Sequence, residues 1–205
     1  MRKKALLLCC TLLFLSGCQA ANDGSKAQQQ LLEMKGYEAE AVVTRITDHG
    51  ENSYTTKQYF EMENGKYRLE MVEPEEVKGN FTVYDGEKVY QFNPRTGTDM
   101  AVEVTPDQAR NELFLGQFVK NYLQSEGVSM ASATVGESDC IVLEAVIPGD
   151  FTYTATEKLW LDKETGLPVK MVIYDTQGQE RYITEYESFT YTDSFEEGLF
   201  TPEYR

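Results

Sequence analysis

The sequence predicts a mainly β domain of the α+β class, in which an antiparallel meander curls around one apolar helix and a short helix precedes the first strand. Three observations support this fold class. Apolar residues alternate with a period of two over most of the chain, Asn/Asp/Gly turns interrupt them at short intervals, and one capped helical segment breaks the pattern near residue 105. With 205 residues, 13 Tyr and 10 Phe, the chain can bury the core of a single domain.

The N-terminus predicts export and lipid attachment. Basic residues 2–4 precede an apolar run from Ala5 to Leu15, which is too short to span a bilayer and is typical of a signal peptide. The run closes with Leu15-Ser16-Gly17-Cys18, which resembles the lipobox of bacterial lipoproteins, where the cysteine is acylated with fatty acids such as palmitate. The alternative is an ordinary secretory signal with an incidental cysteine. We therefore expect a signal peptide over residues 1–17, a lipidated tether over 18–24 and a single domain over 25–205.

The charge of the chain excludes nucleic acid as a partner. The 19 basic and 34 acidic residues give a net charge of −15, and removal of the three basic residues of the signal peptide lowers it to −18. Such a surface cannot neutralise phosphates and is repelled by an anionic membrane, so the lipid on Cys18 must supply the anchoring. The charge favours solubility, or attraction to a basic partner or wall polymer.

The N-terminal half begins with a short predicted helix and continues as strands. Between Ser25 and Lys35, the residues Ala27, Leu31 and Met34 recur on one helical face. From Tyr37 onward the period is two, as in half-buried strands. Asn64-Gly65 predicts a two-residue type I′ hairpin turn, because both central positions of that turn need positive φ.

The strand pattern breaks once, at Thr105-Pro106-Asp107-Gln108. An N-cap threonine, a proline at the first helical position and a glutamine two residues after it form a capping box, which predicts a helix from Thr105 to about Ser125. Polar residues, among them Gln117 and Asn121, occupy one narrow stripe. Apolar residues cover the remaining arc, so the sheet is expected to curl around this helix. Five of them are candidates for either an apolar groove or core: Phe114, Leu115, Phe118, Val119 and Tyr122.

The residues offer little chemistry. No Gly-rich phosphate loop, nucleophile elbow, HExxH or CxxC motif is present. Cys140 opens an apolar strand, where a buried inert thiol is expected, and His49 lies in a predicted turn. Six glutamates alternate with apolar or aromatic neighbours, which favours a solvated sheet face over a catalytic pair: Glu61, Glu63, Glu70, Glu144, Glu185 and Glu187. We therefore expect no catalytic residue, no metal and no cofactor.

Several stretches together resemble a known family. In chain order they are residues 31–37 (LLEMKGY), 67–80 (from YRLE to GN), 113–116 (LFLG), 143–149 (LEAVIPG) and 157–160 (EKLW). They are similar to the GerS-like germination-specific lipoproteins, within the superfamily of LolA-type and LolB-type lipoprotein-sorting proteins. The resemblance implies an incomplete antiparallel β-barrel, a LolA-like half-barrel wrapped around helices.

The same resemblance implies a function. GerS-like proteins are non-enzymatic binding partners and activators of a cell-wall amidase of the CwlD type, in spore cortex modification and germination. The expected location is the outer face of a bacterial membrane, such as the spore membrane, with attachment through Cys18. The alternative is a carrier that binds a lipid or lipoprotein acyl chain in the concave face of the half-barrel. The open sheet edges also leave a homodimer open.

Overall fold

The computed structural model describes residues 17–126 and 130–202, and only the backbone of residues 17–23. The predicted signal peptide therefore lies outside the described residues, except for Gly17. The helices and strands, in chain order, are α1 (Gly17–Leu32), β1 (Gly36–Thr47), β2 (Gly50–Glu61), β3 (Tyr67–Glu73), β4 (Phe81–Tyr84), β5 (Lys88–Asn93), β6 (Thr98–Glu103), α2 (Leu115–Gln124), β7 (Met130–Val135), β8 (Ser138–Val146), β9 (Thr156–Asp162), β10 (Pro168–Tyr174) and β11 (Glu180–Tyr191).

Within the described part of the chain, eleven strands form one antiparallel sheet. Their order is β6-β5-β4-β3-β2-β1-β11-β10-β9-β8-β7. The first meander, β1 to β6, and the second, β7 to β11, are joined by the pairing of β1 with β11, in which Tyr37 faces Tyr191. The edge strands β6 and β7 do not pair with each other, so the sheet stays open. The predicted fold class, a mainly β half-barrel with two helices, is confirmed.

The core lies between the concave face of the sheet and the two helices. Alternate residues of the strands face this core, as in β8, where Ile141, Leu143 and Ala145 are buried. Helix α1 contributes Ala27 and Leu31 to the core. Because these two residues lie one turn apart, the predicted apolar face of the first helix is the face that docks on the sheet.

Helix α1 differs from its predicted bounds at both ends. It begins at Gly17 rather than Ser25 and ends at Leu32 rather than Lys35. The backbone of residues 18–24, predicted to be a tether, is therefore helical. This stretch contains Gln-Ala-Ala and no proline, so nothing in its composition interrupts a helix that begins earlier.

The predicted two-residue turn at Asn64-Gly65 is wrong in length. Residues 62–66 connect β2 to β3, and the hydrogen bond from Glu61 N to Lys66 O at 2.8 Å closes a turn of four residues, 62–65. Met62 N donates to Lys35 O at 2.9 Å, which ties the turn to the connection between α1 and β1. Gly65 has the expected positive φ, +68°. A tertiary hydrogen bond thus sets the loop length, which local turn chemistry cannot reveal.

The second helix begins ten residues later than predicted. The capping box forms only one turn, in which Thr105 N donates to Gln108 Oε1 at 2.9 Å and Ala109 N donates to Thr105 O at 3.0 Å. The chain then turns again at Asn111, whose Oδ1 accepts a hydrogen bond from Leu113 N at 3.1 Å. An asparagine side chain that bonds to the backbone two residues on competes with helix continuation. Helix α2 therefore starts only at Leu115.

Candidate functional site

Helix α2 and the concave surface beneath it hold most of the residues that the sequence singles out. Phe114, Leu115 and Phe118 are fully buried, and Val119 and Tyr122 are nearly so. The ring of Phe114 packs at 4.7 Å from that of Tyr67, between ring centroids. The structure brings all five candidates together in the core, where they fill the space between helix and sheet.

The N-terminus of α2 is capped by a distant tyrosine. Phe114, the N-cap residue, offers no side-chain hydrogen bond, and the Leu115 N–H instead donates to the hydroxyl of Tyr37 at 3.1 Å. Tyr37 is fully buried, and its hydroxyl donates in turn to Gln58 Oε1 at 3.3 Å. Burial raises the pKa of Tyr37 well above its ordinary value, so the hydroxyl stays protonated. The first strand thus fixes where α2 begins.

A glycine allows α2 to approach the sheet closely. A Cβ atom on Gly116 would lie 2.2 Å from the ring carbons of Phe60 on β2, well inside van der Waals contact. Only a residue without a Cβ fits there while the ring keeps its position. The ring of Phe60 also packs at 5.6 Å from that of Phe114, so the glycine contact belongs to the same aromatic layer.

The polar stripe of α2 is buried against β9. Gln117 and Asn121 are 6% and 1% exposed, and Asn121 Nδ2 donates to Glu157 Oε1 at 2.6 Å. The same Nδ2 donates to Glu112 Oε2 at 3.0 Å. Asn121 Oδ1 accepts from Arg110 Nη2 at 2.9 Å and from Gln117 Nε2 at 3.1 Å. This asparagine therefore connects α2, the turn before it and the sheet.

Glu157 is the unusual member of this polar cluster. Its side chain is fully buried, and its Oε2 has no hydrogen-bond partner among the described residues. Burial raises the pKa of Glu157 to about 8, with a further increase from Glu112 and opposing effects from Asn121 and Arg110. At neutral pH the carboxyl is therefore mostly protonated. The carboxyl is closed off from solvent and contacts α2 through Asn121.

The pKa of Tyr186 on β11 depends on the charge of Glu157. Its hydroxyl is buried without a partner among the described residues. Burial first, and then the charge of Glu157, raise the pKa of Tyr186 well above its ordinary value. A neutral Glu157 beside a neutral Tyr186 is consequently the favoured state of the cluster.

Glu157 is not among the residues that the sequence singles out, although its position on β9 carries a signal. Leu159 and Leu161 are buried on β9, and Glu157 lies two residues before Leu159 on the same face of the strand. The six glutamates assigned to a solvated face are correctly placed, since none of them is buried. The period of two distinguishes Glu157 from these six.

The other predicted chemical residues have plain environments. Cys140 is fully buried, as predicted, and burial raises the pKa of its thiol; its low reactivity stays a prediction. His49 is exposed in the turn between β1 and β2. Within residues 17–126 and 130–202, no group of three or more His, Cys, Asp or Glu side chains is placed to bind a metal ion. The side chain of Cys18 lies outside the described residues, so its lipidation stays a prediction.

The same described ranges contain no helix with the length and apolar character needed to cross a membrane.

The C-terminal tail packs on the outside of the sheet instead of entering the core. A Cβ atom on Gly36 would lie 2.6 Å from the ring of Phe195, and the Phe195 and Phe200 ring centroids are 5.0 Å apart. A surface cleft of about 790 Å³ lies between this tail and the β2–β3 hairpin, lined by charged and apolar side chains.

The described part of the chain is an open antiparallel half-barrel around a docked helix, and a fold of this kind does not by itself determine a function. The family model of YdcC-like sporulation proteins matches residues 2–200, so the chain belongs to that family. No curated protein sequence matches the chain significantly.

Solved structures extend the comparison. The chain is similar to the GerS structure from Clostridioides difficile, determined in complex with the CwlD amidase, at 26% identity and a TM-score of 0.51. That match covers 89% of this chain and 100% of the other. An uncharacterized conserved protein from Thermus thermophilus shares the fold at 14% identity and a TM-score of 0.54, covering 93% and 95% of the two chains. A LolA-superfamily protein from Nitrosomonas europaea matches at 15% identity and a TM-score of 0.46, covering 89% and 97%. The expected resemblance to GerS is thereby confirmed.

Proposed function

We propose that the chain is a membrane-anchored extracytoplasmic lipoprotein that binds and activates a cell-wall amidase of the CwlD type during spore cortex modification and germination. The observation that carries the proposal is the match to GerS. The match spans the whole GerS chain, and that structure contains GerS bound to an amidase. Membership of a sporulation family supports the same cellular setting. In this proposal the catalytic groups belong to the amidase.

The charge of the domain supports recruitment of a protein partner. A net charge of −15 over 205 residues makes the chain soluble and directs association towards basic surfaces. The same charge disfavours binding of the bare domain to an anionic membrane. Anchoring is therefore assigned to a lipid on Cys18, at the start of α1.

The packing of α1 gives this anchor a structural consequence. Leu31 is fully buried and Ala27 nearly so, which docks the C-terminal half of α1 on the sheet. The helix continues back to Gly17, so a lipid on Cys18 would attach to its first turn. A helix docked on the domain limits how the domain can rotate relative to its lipid anchor, which a flexible tether would not do. The anchored domain would therefore have a preferred orientation on the membrane.

The lipid attachment is tested by intact mass spectrometry of protein purified from membranes. We expect the mass of residues 18–205 plus an acylated glyceryl group, and incorporation of an alkyne-labelled palmitate. Cys18→Ala should keep residues 1–17 and incorporate no label. A wild-type chain that ends at another residue and lacks the lipid would contradict the anchor.

The amidase partnership is tested by affinity purification of the tagged chain from sporulating cells, followed by calorimetry with the purified CwlD-type amidase of the same organism. We expect a stoichiometric complex and a higher rate of amidase cleavage when the chain is present. The absence of any complex at micromolar concentrations would contradict the proposal.

The carrier alternative makes a different prediction for the same purified protein. A carrier should retain a lipid in native mass spectrometry after the anchor has been accounted for. The five apolar candidates on α2 and at its start are buried among core side chains, which favours a packed interior. A reproducible extra mass equal to a lipid would instead support the carrier.

A further inference from the structure

Seven large apolar side chains are exposed among the described residues, and they fall into two groups. Met100 and Val102 lie on the edge strand β6. The other five lie on the last turn of α2, on β7 and β8 and in the loop after β8: Leu123, Met130, Val146, Phe151 and Tyr153. Single exposed apolar residues need no explanation, but a concentration of them at one end of a soluble domain marks an interaction surface.

One hydrogen bond brings the end of α2, with Leu123, next to Val146. Val146 N donates to Ser125 Oγ at 2.9 Å, which places the end of α2 beside the end of β8. Strands β7 and β8 pair over residues 130–135 and 138–143, with Met130 opposite Leu143 and Val135 opposite Ser138. On the side away from β9, the last residues of β8 are therefore flanked by the end of α2 instead of a strand. Leu123, two residues before Ser125, is 64% exposed, and Val146 is 54% exposed.

The loop after β8 completes the surface and is fixed in place. Phe151 is 59% exposed, and its ring contacts Gly149, where an added Cβ would lie 2.5 Å away. Thr176 N donates to Thr152 O at 3.1 Å, which ties the loop to the turn after β10. We call Leu123, Val146 and Phe151 the α2-end surface. Met130 lies opposite Leu143 and so faces the other side of the sheet from Val146. A fixed apolar surface loses little conformational freedom when it binds.

The charges next to the α2-end surface determine what can cover it. Glu126 and Asp150 are both exposed beside it, and within the described residues neither forms an ion pair. Arg181, which stacks on Tyr153 at 5.0 Å, is already paired with Asp48 at 2.9 Å. The free charge around the surface is consequently negative. A second copy of this chain would bring the same charges and be repelled.

We propose that the α2-end surface is the docking site for the partner protein, and that the partner covers it with an apolar pocket rimmed by lysine or arginine side chains. This inference rests on the proposed function and names the surface that meets the amidase. Apolar contacts at the centre supply affinity, and the basic rim opposite Glu126 and Asp150 supplies orientation and association rate.

The test compares two pairs of exposed apolar residues on the full chain as purified from cells. Leu123→Ser/Val146→Ser alters the α2-end surface, and Met100→Ser/Val102→Ser is the matched control at the β6 edge. All four side chains are more than 40% exposed, so both variants should keep the wild-type circular dichroism and unfolding midpoint. We expect the first variant to bind the CwlD-type amidase at least about 30-fold more weakly, and the control to stay within about twofold.

Charge reversal tests the basic rim. Glu126→Lys/Asp150→Lys should weaken binding at low salt and reduce the dependence of affinity on salt. Equal binding by the wild type and the Leu123/Val146 variant would overturn the inference while leaving the proposed function standing. Loss of binding in the β6-edge control alone would also overturn it. Failure of the wild-type chain to bind the amidase would contradict the proposed function, and the inference with it.

Discussion

Glu157→Gln should remove most of the pH dependence of stability between pH 5 and pH 8.5. In the wild type the pKa of Glu157 is raised from 4.5 to about 8 by burial. Between these values the folded state holds a proton that the unfolded state has released, so the free energy of unfolding falls as pH rises. The stabilisation is complete below about pH 4.5 and is lost by the time the pH passes about 8.

The magnitude follows from the two pKa values. Each pH unit between the two pKa values lowers the free energy of unfolding by ~1.4 kcal/mol. Across the full interval Glu157 alone lowers it by about 5 kcal/mol. Glutamine keeps an oxygen that can accept the hydrogen bond from Asn121 Nδ2, and it stays neutral at every pH. The variant should therefore match the wild type near pH 5 and exceed it in stability at pH 8.5.

Urea unfolding followed by fluorescence of Trp160, the single tryptophan, measures both proteins across this range. Glu185→Gln is the control, because Glu185 is exposed on the outer face of the sheet and should leave the wild-type profile unchanged. Titrating groups distant from Glu157 contribute equally to all three proteins and cancel in the difference. If Glu157→Gln loses stability with pH as steeply as the wild type, the buried acid does not govern the docking of α2.

Three further changes test the packing of α2 and the core. Gly116→Ala should lower the free energy of unfolding by about 1–2 kcal/mol in urea titrations, because the new methyl group meets Phe60 and this overpacking outweighs the gain in helix propensity; an unchanged or higher stability would contradict the close contact. Tyr37→Phe should cost about 1–3 kcal/mol in the same assay, because the buried Leu115 N–H loses its acceptor; a neutral effect would show that α2 does not need this cap. Cys140 should react with iodoacetamide slowly in the folded protein and quickly in urea, as measured by peptide mass mapping; rapid labelling of the folded protein would contradict its burial.

The strands could be predicted because each carries its own evidence. Ile141, Leu143 and Ala145 alternate with more exposed residues, and the structure buries all three. A period of two is a local property of the chain, so it can be recognised without knowledge of what covers the strand. The same period predicts that Glu157 faces the core, as Leu159 does. The general preference of glutamate for water predicts the opposite.

The start of α2 could not be predicted, because its determinants are distant in sequence. The capping box at Thr105 forms and starts one helical turn, but the turn at Asn111 prevents the helix from continuing. The position that starts the helix, Leu115, has no local side-chain cap and depends on Tyr37, 78 residues away. Local capping rules recognise the first signal and miss the second.

The two ends of α2 are fixed by side chain–backbone hydrogen bonds of the same kind. Tyr37 Oη accepts from Leu115 N at one end, and Ser125 Oγ accepts from Val146 N at the other. Between them, Asn121 bonds to the protonated Glu157. Because all three bonds join α2 to strands of the sheet, the helix cannot shift without breaking contacts with both meanders. The exposed side chain of Leu123 is therefore held in place before any partner arrives, and high pH, which charges Glu157, should loosen the α2-end surface and weaken partner binding together.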